Sequence, residues 1–132
     1  MIIDLRKVKQ SGKGEEDFFF EYTPKADIVT VPGVQIKAPV KVLGKVILTS
    51  SKSAVIEAEI TFTLAGECTR CLALTEKTYK IDFEEVFETD ATDGVYEIVS
   101  DRIDLSKPVD DALILEMPVS FVCEEDCEGI SI

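Results

Sequence analysis

The chain has 132 residues, of which 45% are hydrophobic, and its 14 basic and 26 acidic side chains give a formal net charge of −12. This length suits one domain with a single hydrophobic core, and this hydrophobic fraction excludes wholesale disorder. No apolar run approaches the ~18 residues of a membrane span, and the N-terminus MIIDLRKVKQ lacks the continuous apolar stretch of a secretory signal, so we expect a cytoplasmic protein.

The first part of the chain predicts two short strands. Residues 2–8 and 18–22 have strand-like composition, and the glycine-bearing stretch QSGKGEED between them (residues 10–17) predicts a loop. Pro32-Gly33 then predicts a turn.

Three long strands follow. Apolar residues occupy nearly every even position from Val40 to Leu48, and lysines occupy several of the odd ones. The turn-like tract TSSKS leads into residues 54–64, where every even residue is apolar, and residues 79–87 alternate in the same way with the apolar residues at most of the odd positions. Period-two alternation predicts strands with one wet face, and the short connections favour an antiparallel meander.

The last part predicts an acidic turn (ETDATDG), short strands at 95–99 and 102–105, and one helix from Ser106 to Met117. Ser106 is expected to cap this helix, with Pro108 in its first turn and Asp110 and Asp111 near its positive end. One face of the helix is apolar, made by Val109, Ala112, Leu113 and Met117. Pro118 is expected to end it.

The predicted fold class is α+β. We expect a single domain over 1–132, mainly an antiparallel β meander that is barrel-like in one interpretation, with one late C-terminal helix. Within it we distinguish less regular N-terminal strands and a loop (1–33), the three-stranded meander (34–88), short strands and helix (95–117), and a cysteine-bearing tail (118–132).

The charge is unevenly distributed. Residues 1–81 hold twelve basic and ten acidic side chains, whereas residues 82–132 hold only Arg102 and Lys107 against sixteen acids, a balance of −14. The second part should therefore repel nucleic acid and attract basic partners. Excess acid that simply keeps a small protein soluble is the plainer explanation.

Four cysteines form two close pairs, Cys68-Thr-Arg-Cys71 and Cys123-Glu-Glu-Asp-Cys127. Two thiolate pairs suit a closed tetrahedral zinc site that would pin the tail beside the meander. Against zinc stand the three-residue spacing of the second pair, the Leu after Cys71 and the acids around Cys127. Buried reduced thiols are the main alternative. A redox pair is the weakest, because a strand rather than a helix is predicted to follow Cys71.

The run CTRCL at 68–72 resembles the C-x-R-C-L signature of the YceD-like family, the large ribosomal RNA subunit accumulation proteins. Other features follow in the family's order: the strand from Pro39 through Gly44, the acidic stretch Glu84–Glu88, Ile103-Asp104-Leu105, the helix ending in Glu116-Met117-Pro118, and Cys123 with Cys127. The resemblance covers nearly the whole chain, although many members continue past the last glycine with more cysteines. It implies a cytosolic protein that supports accumulation of large-subunit ribosomal RNA.

The resemblance and the acidic second part together favour a non-enzymatic ribosome-biogenesis factor that holds a basic ribosomal protein or large-subunit precursor. No membrane or small-molecule substrate is expected. The predicted docking residues are all acidic: Glu84, Glu85, Glu88, Asp110, Asp111, Glu124, Glu125 and Asp126.

A second hypothesis is direct binding of precursor ribosomal RNA by basic residues of the first part of the chain. Under the first hypothesis, any contact with RNA would be indirect, through the ribosomal protein. The set is Lys37, Lys41, Lys45, Lys52, Arg70, Lys77 and Lys80. Base stacking is not expected to contribute, because the meander's aromatic residues have the core parity. Between the cysteines, Arg70 is expected to be an exposed loop residue that could contact a phosphate, and Leu72 is expected to be core.

A third hypothesis is an enzyme, in particular a thiol oxidoreductase using Cys68 and Cys71. The chain has no histidine, which removes the commonest general base. Adjacent acids such as Glu84 and Glu85 would point to opposite faces of a strand. We therefore predict no catalytic residues.

Overall fold

The computed structural model describes residues 1–24, 28–29, 33–68, 70–90 and 95–117. These residues form seven strands and two helices. In chain order they are β1 (Ile2–Asp4), α1 (Leu5–Gln10), β2 (Glu15–Tyr22), β3 (Val34–Ser50), β4 (Ser53–Glu67), β5 (Leu74–Glu88), β6 (Tyr96–Glu97), β7 (Arg102–Asp104) and α2 (Ser106–Glu116).

Five strands make one sheet in the order β2-β3-β4-β5-β6, and β1 pairs with β7 in a separate two-stranded ladder. The first four strands are an antiparallel meander, which confirms the prediction for β3, β4 and β5. The short β6 instead runs parallel to the end of β5, pairing Phe87 with Tyr96. Over the described residues β2 and β6 are the sheet's edges, so no closure into a barrel is found there.

One face of the sheet packs into the core, and we call it the inner face. The alternation in the sequence correctly predicts its side chains, since Val42 of β3, Ile60 of β4 and Phe83 of β5 are all buried. The apolar face of α2 packs on the same core through Val109 and Leu113, both fully buried. Charged residues on the opposite parity of the strands occupy the outer face.

The predicted strand over residues 2–8 is wrong beyond Asp4, where the chain turns into helix α1. The Asp4 carboxylate accepts a hydrogen bond from the Arg6 N–H at 3.0 Å and so caps the helix. Leu5 and Val8, three residues apart, share the buried helix face. The predicted loop over 10–17 is also too long, because β2 already begins at Glu15.

Helix α2 begins at Ser106, one residue earlier than the predicted Ser106 cap implies. The N-cap position is Leu105, which has no side-chain capping bond. The Asp104 carboxylate accepts a hydrogen bond from the Ser106 N–H at 2.9 Å, and this bond is the main reason that the pKa of Asp104 is lowered. Asp110 and Asp111 consequently lie in the second helical turn, beyond the reach of a first-turn dipole interaction.

The central strands β3 and β4 approach closely at Gly44, which pairs with Ala58. A Cβ at residue 44 would come within 2.6 Å of both the Cα and the Cβ of Ala58 and would also overlap the Glu57 carbonyl oxygen. The flanking strands place Phe18 opposite Gly44 and Phe83 opposite Ala58. Glycine and alanine in the middle of this row therefore allow the central strands to approach closely at this point.

Candidate partner-binding surface

Four acidic residues are paired in two neighbouring rows on the outer face of β4 and β5. The register pairs Glu57 with Glu84 and Glu59 with Asp82, and all four side chains are exposed. Directly opposed side chains in an antiparallel pair lie about 4.5–5.5 Å apart at Cβ, and opposed like charges destabilise the pairing. We call these four residues the carboxylate quartet.

Two lysines only partly neutralise the quartet. Lys45 Nζ lies 4.0 Å from Glu57 Oε2, and Lys80 Nζ lies 3.8 Å from Glu59 Oε1. The side chains of all four of these residues are at least 42% exposed. Solvent screens such pairs strongly, so each contributes little. The surface therefore keeps a net negative charge.

An exposed apolar pair lies beside the quartet. Phe19 of β2 is 52% exposed and pairs with Leu43 of β3, which is 57% exposed and pairs in turn with Glu59. Phe19 lies outside residues 34–88, for which core aromatics are predicted, and has the outward parity between the half-buried Phe18 and Phe20. A partner at the quartet would thus meet apolar contact area as well as charge.

The predicted acidic stretch 84–88 is divided between the two faces. Glu84 belongs to the quartet, and Glu88, on the same parity, lies at the strand end opposite Ser53. Glu85 has the inner parity, is half-buried, and lines a cavity together with Tyr96 and Lys107. Adjacent acids thus point to opposite faces, as the strand period predicts.

The predicted docking acids Asp110 and Asp111 accept hydrogen bonds from tyrosines of the sheet. Tyr22 of β2 donates to Asp110 Oδ1 at 2.9 Å, and Tyr96 of β6 donates to Asp111 Oδ2 at 2.8 Å. Burial, the hydrogen bond and the nearby negative charge raise the pKa of each tyrosine to about 12. Lys107 Nζ also lies 3.3 Å from Asp111. These aspartates hold the fold together.

The hairpin between β4 and β5 carries the first cysteine pair. Cys68 is fully buried, and its backbone N–H donates to the Ala73 carbonyl at 2.9 Å, which closes the turn. Cys71 is half-buried and Arg70 is exposed, as predicted for Arg70. Since a redox thiol needs access to its substrate, the burial of Cys68 disfavours the oxidoreductase alternative.

Leu72 is not a core residue. It is 55% exposed and adopts a left-handed backbone with φ of 64°. Its N–H donates to the Cys68 carbonyl at 2.9 Å, so the tight turn directs its side chain away from the core. Leu74, at the start of β5, is 88% exposed.

The second half of the predicted zinc site lies outside the described residues. Cys123 and Cys127 belong to this part, as do the predicted docking acids Glu124, Glu125 and Asp126. Within 1–24, 28–29, 33–68, 70–90 and 95–117, no group of three or more Cys, Asp or Glu side chains is arranged to hold a metal ion.

The predicted basic surface is interrupted by carboxylates. Lys41 and Lys45 share the outer face, and Thr61 separates Lys41 from Lys80 in one row of the sheet. Lys37 Nζ lies 2.9 Å from Glu76 Oε2. Lys77 has the inner parity and does not join them.

The alternation in the sequence predicts which acidic residues lie on the outer face of the sheet, but it does not predict that the four residues of the quartet are paired. Glu57 and Glu59 have the solvent-facing parity in the sequence, and Asp82 has it in β5. Their pairing depends on strand register, which the geometry of the hairpin turn determines. None of the helices in the described part of the chain is both long and apolar enough to span a membrane.

Comparison with known proteins gives one family. The profile of the family described as large ribosomal RNA subunit accumulation protein YceD matches residues 56–132. Uncharacterized proteins of Mycobacterium tuberculosis and Mycobacterium bovis are 33% identical to this chain over 88 residues, and one of Mycobacterium leprae is 26% identical over 88 residues. Each alignment covers 61% of this chain but only 41–42% of the relative, so the chain spans about two fifths of their length.

No solved structure matches the chain. The family match includes more than half of the chain, and within it lie the whole quartet, the cysteine hairpin and α2. The protein therefore belongs to the YceD family of large ribosomal RNA subunit accumulation proteins.

Proposed function

We propose that this protein is a non-enzymatic ribosome-biogenesis factor of the cytoplasm that supports accumulation of large-subunit ribosomal RNA by holding a basic ribosomal protein on its carboxylate quartet. The family description supports the first part of this proposal. The observation that carries the second part is the pairing of Glu57 with Glu84 and of Glu59 with Asp82.

Two adjacent rows of opposed carboxylates destabilise the isolated sheet, and a bound cationic side chain relieves that repulsion. Lysines and arginines of a basic ribosomal protein are such cations. Complementary charge also speeds the encounter, so the factor captures its partner early, before the partner aggregates or meets RNA.

The apolar pair Phe19 and Leu43 adds a contact that salt does not screen. Interactions between exposed charges are screened at physiological salt, where the Debye length is about 8 Å. Desolvated apolar contact is not screened in this way, and a central aromatic anchor carries much of the energy of many interfaces. The proposed interface therefore combines an apolar anchor with an acidic surround.

Direct RNA binding is the less favoured candidate. Lys45 and Lys80 lie beside quartet carboxylates, which repel phosphates at short range. The exposed ring of Phe19 would be a stacking platform, but Asp17 and Glu21 flank it on the same parity of β2.

The test is capture of lysate proteins on the tagged full chain, with and without nuclease, followed by mass spectrometry. We compare the wild type with Glu57→Gln/Glu84→Gln and with the control Glu15→Gln/Glu16→Gln, which removes the same charge from two exposed residues at the start of β2, away from Phe19. We expect one basic ribosomal protein to survive nuclease on the wild type and the control, and to fall about tenfold on the quartet variant.

Loss of fold does not explain such a result. Neutralising Glu57 and Glu84 removes a repulsive pair, so we expect the free energy of unfolding to stay constant or to rise by about 0.2–1 kcal/mol. Equal capture by the quartet variant and the wild type would overturn the proposed surface. Complete loss of capture with nuclease would favour the RNA hypothesis instead.

A further inference from the structure

Strand β5 has a long edge. It pairs with β4 over its full fifteen residues, whereas on its other side β6 pairs only with Phe87 and Glu88. Within the part of the chain that the structure describes, no strand lies beside residues 74–86. A flat edge of N–H and C=O groups is a template for an added strand.

The direction of the backbone groups follows from one hydrogen bond. Ile98 N–H donates to the Glu88 carbonyl at 2.8 Å, so the polar backbone groups of Glu88 face β6. N–H and C=O groups alternate in direction along a strand, and the register with β4 has no irregularity. The backbone groups of Glu84, Asp82 and Lys80 therefore face the same open side.

A cleft of about 190 Å³ runs along this edge. Five consecutive residues, 81–85, line it. Successive side chains of a strand point to opposite faces, so a cavity lined by consecutive residues lies along the strand's edge. Helix α2 forms the opposite wall with Ala112, Leu115 and Glu116, and Leu115 is 83% exposed.

We propose that this cleft binds an extended, lysine- or arginine-bearing segment of a partner protein, which adds to β5 as a strand. This proposal rests on the proposed function and states how the basic partner is held. Strand addition takes affinity from backbone hydrogen bonds and specificity from alternate side chains.

The chemistry of the walls selects a basic segment. Asp82 and Glu84 project to the outer face, Glu85 projects to the inner side, and Glu116 lies on the helix wall. Cationic side chains on either face of an added strand would each meet a carboxylate, while Leu115 offers apolar contact to residues between them.

The probe is the peptide acetyl-(Lys-Val)4-amide, with a second version N-methylated at every residue as its control. Both peptides carry the same charge, but the methylated one has lost the N–H groups of both strand edges and cannot pair in either direction. We expect the first peptide to slow hydrogen exchange at the backbone amides of Asp82 and Glu84, and the second to bind about tenfold more weakly without that protection.

A variant pair tests the edge from the side of the protein. Lys80→Pro removes an N–H that faces the open side and also a positive charge, whereas Lys80→Thr removes only the charge. Proline at such a position removes no bond to β4. Strand addition predicts that Lys80→Pro binds the peptide about tenfold more weakly than Lys80→Thr, although the two have equal charge.

The outcomes separate this proposal from the proposed function. Equal binding of both peptides without amide protection would overturn strand addition but leave an acidic surface that holds basic partners. Equal binding by both Lys80 variants, with both confirmed as folded, would do the same. Failure of both peptides to bind at low salt would overturn strand addition and also count against the acidic surface.

Discussion

Tyr22 donates a hydrogen bond to Asp110 across 88 residues of sequence, and this bond joins one edge of the sheet to helix α2. At the other edge, Tyr96 of β6 donates to Asp111, the next residue of the same helix. Since β2 and β6 are the outermost strands of the sheet that the described residues form, two neighbouring aspartates join α2 to both of its edges. The helix is thus fixed at the position where it forms a wall of the cleft beside β5.

Removing the hydroxyl group of either tyrosine should weaken the attachment of α2 to the sheet and so destabilise the fold. We predict that Tyr22→Phe and Tyr96→Phe each lower the free energy of unfolding by about 1.5–3 kcal/mol, the usual range for a hydrogen bond to a charged group. Urea unfolding at pH 7 measures this loss. The control is Tyr79→Phe, because the structure shows Tyr79 stacked on Phe62 at 5.2 Å and its ring is retained. A loss as large in the control would contradict the role of the two aspartates.

The same tyrosines predict a loss of stability at alkaline pH. Burial foremost, then the bond to Asp110, raises the pKa of Tyr22 from 10.0 to about 12, and the pKa of Tyr96 is raised to the same value. Their contribution is fully present below pH 10, the pKa of the unfolded chain, and is lost as the pH rises through 12. Each tyrosine lowers the free energy of unfolding by at most about 1.4 kcal/mol per pH unit in this window.

The measurement is urea unfolding between pH 8 and pH 11.5. The double variant Tyr22→Phe/Tyr96→Phe lacks both titrating phenols while it keeps every lysine. Its free energy of unfolding should therefore fall less steeply above pH 10 than that of the wild type. Identical slopes would show that the two phenols ionise as freely in the folded as in the unfolded chain.

The sequence predicted the faces of the strands better than their contacts. Period-two alternation correctly identified Ile60 and Phe83 as buried, because a strand has only two faces and one of them is wet. It could not pair Glu57 with Glu84, since a shift of one residue in the hairpin changes every partner. The hydrogen bond from Tyr22 to Asp110 could not be predicted from the sequence either, because it depends on how α2 packs on the sheet.

The short elements were the least predictable. Six residues of α1 are too few for a helical period to stand out, since they contain only one pair of apolar residues at helical spacing, Leu5 and Val8. The helix depends on the Asp4 cap and on the burial of Leu5 and Val8. Isolated helices of this length are unstable in water, so tertiary packing determines the outcome.

Gly44→Ala should destabilise the protein severely. The new Cβ would overlap the Glu57 carbonyl and lie within 2.6 Å of Ala58, so β3 and β4 would have to separate. We predict a loss of at least about 3 kcal/mol, the upper end for overpacking, because backbone atoms cannot rotate away. Thermal unfolding measures it. Adding Ala58→Gly removes one of the three contacts only, so the double variant should recover little; full recovery would contradict a backbone clash.

The zinc interpretation of Cys68, Cys71, Cys123 and Cys127 stays a prediction. We expect protein purified without chelator to carry one zinc ion per chain, because two thiolate pairs complete a tetrahedral site. The half-buried Cys71 is the position to change, since replacing the fully buried Cys68 would also disturb packing. Cys71→Ser should lose the metal and unfold at a lower temperature, and chelator should lower the wild type to the same value. Metal-free protein with four titratable thiols would contradict the site.

Leucine at position 72 should stabilise the fold no better than glycine at the same position. Its left-handed backbone, φ 64°, disfavours a residue with a Cβ by about 1–2 kcal/mol, whereas a glycine there costs about 0.5–1 kcal/mol of chain entropy. The side chain is 55% exposed and returns little burial energy. We therefore predict that Leu72→Gly changes the free energy of unfolding by about 0 to +1 kcal/mol. The control Leu74→Gly, at a strand position that is 88% exposed, should lower the free energy of unfolding by about 1 kcal/mol.

If Leu72→Gly proved more damaging than Leu74→Gly, the Leu72 side chain would contribute packing that its exposure does not reveal. If it stabilised the fold but reduced accumulation of large-subunit ribosomal RNA in cells, the strained leucine would be kept for contact with a partner.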